Sequence, residues 1–174
     1  MASIRIGTRG SKLALWQAEW VAGNLTSRGH EVELVIISTR GDVSAQPLSQ
    51  VGGQGLFTKE IQRELLSKRV DVAVHSLKDL PTVAVDGLCM PAVPERETTA
   101  DCLISRDSLP FTKLPAGARI GTGSSRRGAQ LLAWRNDVQI HDIRGNVDSR
   151  LRKLEEGEAD ATLKYAGTLR GSYD

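Results

Sequence analysis

The sequence predicts an α/β fold built as two similar lobes, and three observations carry that reading. Short apolar runs alternate with amphipathic segments along the 174 residues, the pattern of strands interleaved with helices. The stretch Ile6-Gly7-Thr8-Arg9-Gly10-Ser11-Lys12 has a counterpart in Ile120-Gly121-Thr122-Gly123-Ser124-Ser125-Arg126. Each is an apolar strand end, then Gly-Thr, then small and cationic residues that open a helix. Finally, Leu65 precedes Asp71 by the interval that separates Leu154 from Asp160, and both aspartates open an apolar strand.

The elements follow in order. Ile4 to Gly7 reads as a strand, and a helix follows near Lys12 because Leu13, Trp16, Trp20 and Leu25 recur at helical spacing. Glu31 to Ser38 alternates polar and apolar residues as a strand does. Val51 to Gly55 holds three glycines and reads as a flexible loop. Phe57 to Lys68 is amphipathic, with Ile61, Leu65 and Leu66 on one side. Val70 to His75 reads as a buried strand, and the segment around Cys89 as another. Pro91, Pro94 and a charged cluster up to Glu97 break the pattern, so the first lobe is assigned residues 1–94 and the second 95–174. In the second lobe Ile120 to Thr122 ends a strand. Ser124 to Arg135 is helical, with Ala129, Leu132 and Ala133 as its apolar positions. Gln139 to Ile143 is a strand, Val147 to Glu156 a charged helix, and Asp160 to Leu163 begins another strand.

Composition excludes several classes. Hydrophobic residues make up 40% and charged residues 25%, an ordinary globular mixture. A net charge of +2 and an aromatic content of 4% argue against a nucleic-acid module. No run approaches the ~20 apolar residues of a membrane-spanning helix, and Met-Ala-Ser-Ile-Arg-Ile lacks the apolar core of a signal peptide. Cytoplasmic location is therefore expected, with no membrane partner. The two cysteines, Cys89 and Cys102, lack metal-ligand spacing and read as free, mostly buried thiols; no metal site is expected.

Chemistry concentrates at three basic turns. A strand, a Gly/Thr/Ser turn and a helix start expose backbone N–H groups at the positive end of the helix dipole, which attracts anions. Arg9 and Ser11 stand at the first such turn. Ser124, Ser125, Arg126 and Arg127 stand at the second. Arg144-Gly145-Asn146, followed by Arg150, forms the third. Guanidinium groups grip carboxylates in bidentate fashion. One reading is an arginine-lined cleft for a ligand with several carboxylates or phosphates; the plainer one is helix caps and solvated charges. Arg152 and Lys153 fit a solvated helix face. Gly53-Gln54-Gly55 lacks the Gly-Lys-Ser/Thr ending of a phosphate loop. Lys59 could close over a ligand or cap its helix. His75-Ser76-Leu77-Lys78-Asp79-Leu80-Pro81 places polar residues directly after an apolar strand, where α/β sheets bind ligands. His75 taken alone fits a structural histidine.

That last segment, extended to Val74 and Thr82, strongly resembles the signature of porphobilinogen deaminases (hydroxymethylbilane synthases). So do Thr8 to Ala14, Thr39-Arg40-Gly41-Asp42, Gly55 to Glu60 and Ile143 to Val147, in the family's order across nearly the whole chain. The resemblance implies two lobes like those of periplasmic binding proteins, with mixed sheets, and a smaller third domain. It implies an enzyme that joins four porphobilinogen molecules head to tail into hydroxymethylbilane, releasing ammonia each time. Growth starts on a dipyrromethane cofactor held by a cysteine of the third domain.

By the same resemblance Asp79 stabilises the methylene-pyrrole cation left by loss of ammonia. Arg9, Ser11, Lys78, Arg126, Arg127, Arg144 and Arg150 match positions that bind substrate or cofactor carboxylates. Ser76, Thr122, Ser124, Gly145 and Asn146 add hydrogen bonds. Arg170 is a further candidate, although its assignment requires a gap in the 161–170 stretch. Gln54 stands where many members have lysine, and Gly123 and Ser125 also depart from the common pattern. Neither cysteine has the Gly-Gly-Cys context of the cofactor loop. Two incomplete lobes, no third domain, no bound cofactor, a monomer and no turnover by this chain alone are therefore expected. The alternative is a non-catalytic two-lobed binder of small polycarboxylate anions.

Overall fold

The computed structural model describes residues 3–39 and 58–165. Arg40 to Asp42, the glycine loop with Gln54, and Arg170 lie outside the described residues. The chain divides into two compact units, Met1–Glu95 and Arg96–Asp174.

In the first unit the elements are β1 (Ile4–Thr8), α1 (Lys12–Thr26), β2 (Val32–Ile36), α2 (Lys59–Leu66) and β3 (Val72–Ala73), then a 3-10 turn at Leu77–Asp79. The strands lie in the order β2-β1-β3. All three are parallel, with Ile6 opposite both Leu34 and Val72. This sheet is therefore purely parallel among the described residues, where a mixed one was expected. Ile6, Ala18, Ile61 and Val70 form its buried interior.

Four expectations are corrected here. The strand expected over Val70 to His75 shrinks to Val72–Ala73, because the Val70 amide still closes the end of α2 onto Glu64 O and the Asp71 carboxylate wraps around Arg5. On α1 the buried residue is Ala18, while Trp20 is half exposed. On α2 Ile61 is buried, while Leu66 is half exposed. Around Cys89 there is no strand: Leu88 N bonds Val85 O in a turn, and Cys89 is exposed. Both cysteines are free, and Cys102 is partly covered.

The second unit contains β4 (Asp101–Ser105), a 3-10 turn at Phe111–Lys113, β5 (Arg119–Gly121), α3 (Ser125–Trp134), β6 (Gln139–His141), α4 (Val147–Glu155) and β7 (Ala161–Tyr165). Its sheet runs β4-β7-β5-β6. β5 is parallel to β6 and β7, while β4 is antiparallel to β7, so this sheet is mixed. Phe111, Leu114, Ile120, Leu131, Val138 and Leu163 pack its core. The apolar face of α3 differs from expectation. Gly128 and Leu131 are buried, whereas Ala129, Leu132 and Ala133 are exposed. Gly128 sets this phase by letting the helix approach β6: a Cβ there would lie 3.2 Å from Ile140 Cγ2.

The two units repeat one local design. In the first, Arg5 N and Nε bond Asp71 Oδ2, and Arg5 Nη2 bonds Lys68 O. In the second, Arg119 N and Nε bond Asp160 Oδ2, and Arg119 Nη2 bonds Gly157 O. Each aspartate amide in turn bonds its arginine's carbonyl. The matched Leu–Asp intervals seen in the sequence thus end on the same Arg–Asp lock. Among the described residues, no helix is long and apolar enough to cross a membrane.

Candidate functional site

In the first unit the site is built where β1 and β3 end. Thr8 is fully buried, and its hydroxyl donates to Ala14 O at 3.2 Å. Ser11 caps α1, its hydroxyl accepting from Ala14 N at 3.4 Å. Between them stands Arg9, whose Nη1 lies 3.9 Å from Asp79 Oδ2, both side chains being largely covered. Asp79 is presented by the 3-10 turn directly after β3. Ser76 donates its hydroxyl to Gln17 Oε1 of α1 at 3.1 Å, so α1 and this turn are tied together. Lys78 is exposed on the same turn. His75 Nε2 is buried with no hydrogen-bond partner among the described residues. Burial lowers the His75 pKa; Asp79 opposes this and Arg9 adds to it, which favours the neutral imidazole.

Lys59 lines a separate groove of about 330 Å³ in this unit with Gln62, Pro81 and Val83. The N-cap of α2 is Thr58, not Lys59.

The second unit carries two such turns. Thr122 is buried at the end of β5, and its hydroxyl accepts from Ser124 N at 3.2 Å. Ser124 caps α3 by accepting from Arg127 N at 3.4 Å. Arg126 is exposed and reaches Gln130 at 3.5 Å. Arg127 is turned the other way. Its Nε and Nη2 grip the two carboxylate oxygens of Asp101 at 2.8 and 2.6 Å. In the third turn, Asn146 Oδ1 accepts from Ser149 N at 2.8 Å and caps α4. Gly145 adopts φ +108° and receives Arg150 Nε on its carbonyl at 2.8 Å. Arg144 Nε lies 3.6 Å from Asp142 Oδ2.

Arg150 is the informative side chain. Its pKa is lowered by burial first, then by the charge of Arg127; Asp142 opposes and Arg144 adds to the fall. A partly desolvated guanidinium with two others nearby favours a further anion, even with Asp101 and Asp142 already set against its neighbours. Each guanidinium presents a planar donor fork suited to a carboxylate or a phosphate. Within the second unit, the structure therefore brings together Arg127, Arg144 and Arg150. Within the first, it brings together Arg9, Ser76 and Asp79.

Two participants were missed in the sequence. Gln17 sits one helical turn from Leu13 and carried no motif. Asp101 heads the apolar run Cys102-Leu103-Ile104 and carried no motif either. Burial, aided by Asp101, pushes the Cys102 thiol up, away from the reactive thiolate form.

A family model described as "Porphobilinogen deaminase, dipyromethane cofactor binding domain" matches residues 4–172. The chain belongs to the porphobilinogen deaminase family. It is 49% identical over 172 residues to the porphobilinogen deaminase of Syntrophotalea carbinolica, covering 97% of this chain and 55% of that protein. It is 52% identical over 169 residues to that of Geobacter metallireducens, covering 95% of this chain and 53% of that one. The corresponding protein of Syntrophomonas wolfei is 50% identical, with 98% and 57% covered. The chain thus spans about half the length of these relatives. A crystal structure of an ArgBP mutant from T. maritima aligns at a TM-score of 0.35 and 15% identity, covering 98% of this chain and 71% of that one; the likeness is too weak to carry an argument.

The family's dipyrromethane cofactor carries carboxylates, and arginine forks are a donor set suited to carboxylates. Half-buried Arg150, with Arg127 and Arg144 among the charges acting on it, belongs to that donor set. The capped N-termini of α3 and α4 add N–H donors to the same chemistry.

Proposed function

We propose that this chain supplies the carboxylate-binding turns and the catalytic aspartate of a hydroxymethylbilane synthase, which condenses four porphobilinogen molecules with release of ammonia. The observation that carries the reading is the basic turn at Arg144 to Arg150, where half-buried Arg150 is fixed on Gly145 O and feels the charges of Arg127 and Arg144. Porphobilinogen bears an acetate and a propionate, so each added ring brings two negative charges, and a growing chain needs such a cluster.

The chemistry asks little of the protein as a nucleophile. As the aminomethyl C–N bond breaks, ammonia leaves with the bonding electrons and the pyrrole nitrogen delocalises the resulting cation. Asp79 stabilises that cation and accepts the pyrrole N–H. Arg9, 3.9 Å away, orients the carboxylate. The α-carbon of the preceding ring then forms the new C–C bond and loses its proton. A bound dipyrromethane cofactor would supply the first such carbon. Ser11, Lys78, Arg126, Arg127, Arg144 and Arg150 hold carboxylates, with Ser76, Thr122, Ser124, Gly145 and Asn146 as hydrogen-bonding partners and Arg170 as a further cation.

In this reading residues 1–94 and 95–174 belong to two periplasmic-binding-protein-like lobes, as in the family, whose cofactor cysteine lies in a third domain. The protein works as a monomer in the cytoplasm, without nucleic acid.

The test is a calorimetric titration of the 174-residue chain with porphobilinogen, followed by an ammonia assay on the same mixture. Saturable binding that weakens with added salt, without steady ammonia release, is expected. Absence of binding at millimolar ligand would refute the carboxylate reading. Steady ammonia release would overturn the need for a cofactor cysteine outside this chain.

A further inference from the structure

We propose that Asp101 is a specificity-determining residue: its carboxylate holds the guanidinium fork of Arg127 in place of a ligand carboxylate and yields when one binds. The inference rests on the carboxylate-binding function proposed above.

The geometry is that of a ligand already in place. Both oxygens of Asp101 engage Arg127, at 2.6 and 2.8 Å, the parallel two-bond arrangement by which arginine recognises a carboxylate. The Arg127 side chain is 11% exposed and that of Asp101 28%, so the acid is the more open partner. Arg127 lies in the first turn of α3, where the helix dipole favours an anion. Asp101 is the first residue of β4, its backbone held in the ladder opposite Tyr165. Rotation of its side chain alone would release the fork without disturbing the sheet.

Three other close Arg–Asp pairs among the described residues are built differently. Asp71 and Asp160 each also accept from the backbone amide of their arginine. Arg5 and Arg119 each also donate to a backbone carbonyl, Lys68 O and Gly157 O. Arg135 combines its bonds to Asp137 with bonds to Phe111 O and Leu114 O. Those pairs are bolted to the main chain. The two bonds between Arg127 and Asp101 run from side chain to side chain.

An internal carboxylate at this place has a chemical consequence. It lowers the charge of the arginine cluster while the site is empty. It also makes binding at Arg127 an exchange, in which an incoming group must match a bidentate carboxylate. Neutral groups, which cannot repay the lost ion pair, are excluded.

The test uses the 174-residue chain, with porphobilinogen affinity and melting temperature measured for the wild type and for Asp101→Asn, Asp101→Glu and Arg150→Leu. The neutral amide competes poorly for the guanidinium, so Asp101→Asn should bind porphobilinogen about three- to tenfold more tightly, and Asp101→Glu should return affinity toward the wild-type value. Unchanged or weaker binding by Asp101→Asn, while Arg150→Leu loses affinity, would overturn this proposal and leave the carboxylate site standing. Loss of the folded state in Asp101→Asn would mark the pair as a structural brace and overturn it too. Failure of every protein to bind would sink the function reading, and this inference with it.

Discussion

Arg5 and Asp71 show how one residue pair can fix the end of a sheet. Their hydrogen bonds hold the Asp71 pKa down from its ordinary 3.8 to about 2. A depressed carboxylate stabilises the fold above its unfolded pKa, and the effect is lost as the pH falls through its folded pKa. Asp71→Asn should therefore melt below the wild type at neutral pH, and the two curves should converge as the pH approaches 2. Thermal melts across that range check it; a gap that persists undiminished in acid would contradict the assigned cause. At this scale the sequence was informative where a motif was dense, as at Ser76 to Asp79, and silent where partners were distant. Asp71 drew notice as a strand opener, but nothing paired it with Arg5, and nothing paired Asp101 with Arg127. Such pairs depend on strand order, which a local pattern does not contain.

Among the elements, the turn from Arg144 to Asn146 places the most chemistry in the fewest residues. Gly145 holds φ +108°, and a Cβ there would lie 2.6 Å from Ser149 Cβ. No L side chain fits without moving the first turn of α4. Gly145→Ala should cost about 1–3 kcal/mol of stability, read from urea unfolding, and should weaken porphobilinogen binding because Gly145 O anchors Arg150. Stability within error of the wild type would show that the turn tolerates the methyl group. The strand–turn–helix units were legible because Gly-Thr and Ser punctuation marks helix starts directly. Helix faces were less so. The phase of α3 follows from a glycine packed against Ile140, and a hydrophobicity pattern assigns glycine no face.

For the whole molecule, the repeated plan of two parallel βαβ units was visible in the matched turns and the Leu–Asp intervals. The antiparallel β4 was not, since its run is short and its partner β7 lies far along the chain. The proposed function rests on the basic turns acting as carboxylate binders. The most direct measurement is the porphobilinogen affinity of Arg144→Leu, set beside Arg152→Leu as a control on the exposed face of α4. A charge-assisted hydrogen bond contributes roughly 1.5–3 kcal/mol, so Arg144→Leu should bind about ten- to a hundredfold more weakly while Arg152→Leu binds as the wild type does. Equal affinity in Arg144→Leu and the wild type would contradict the account.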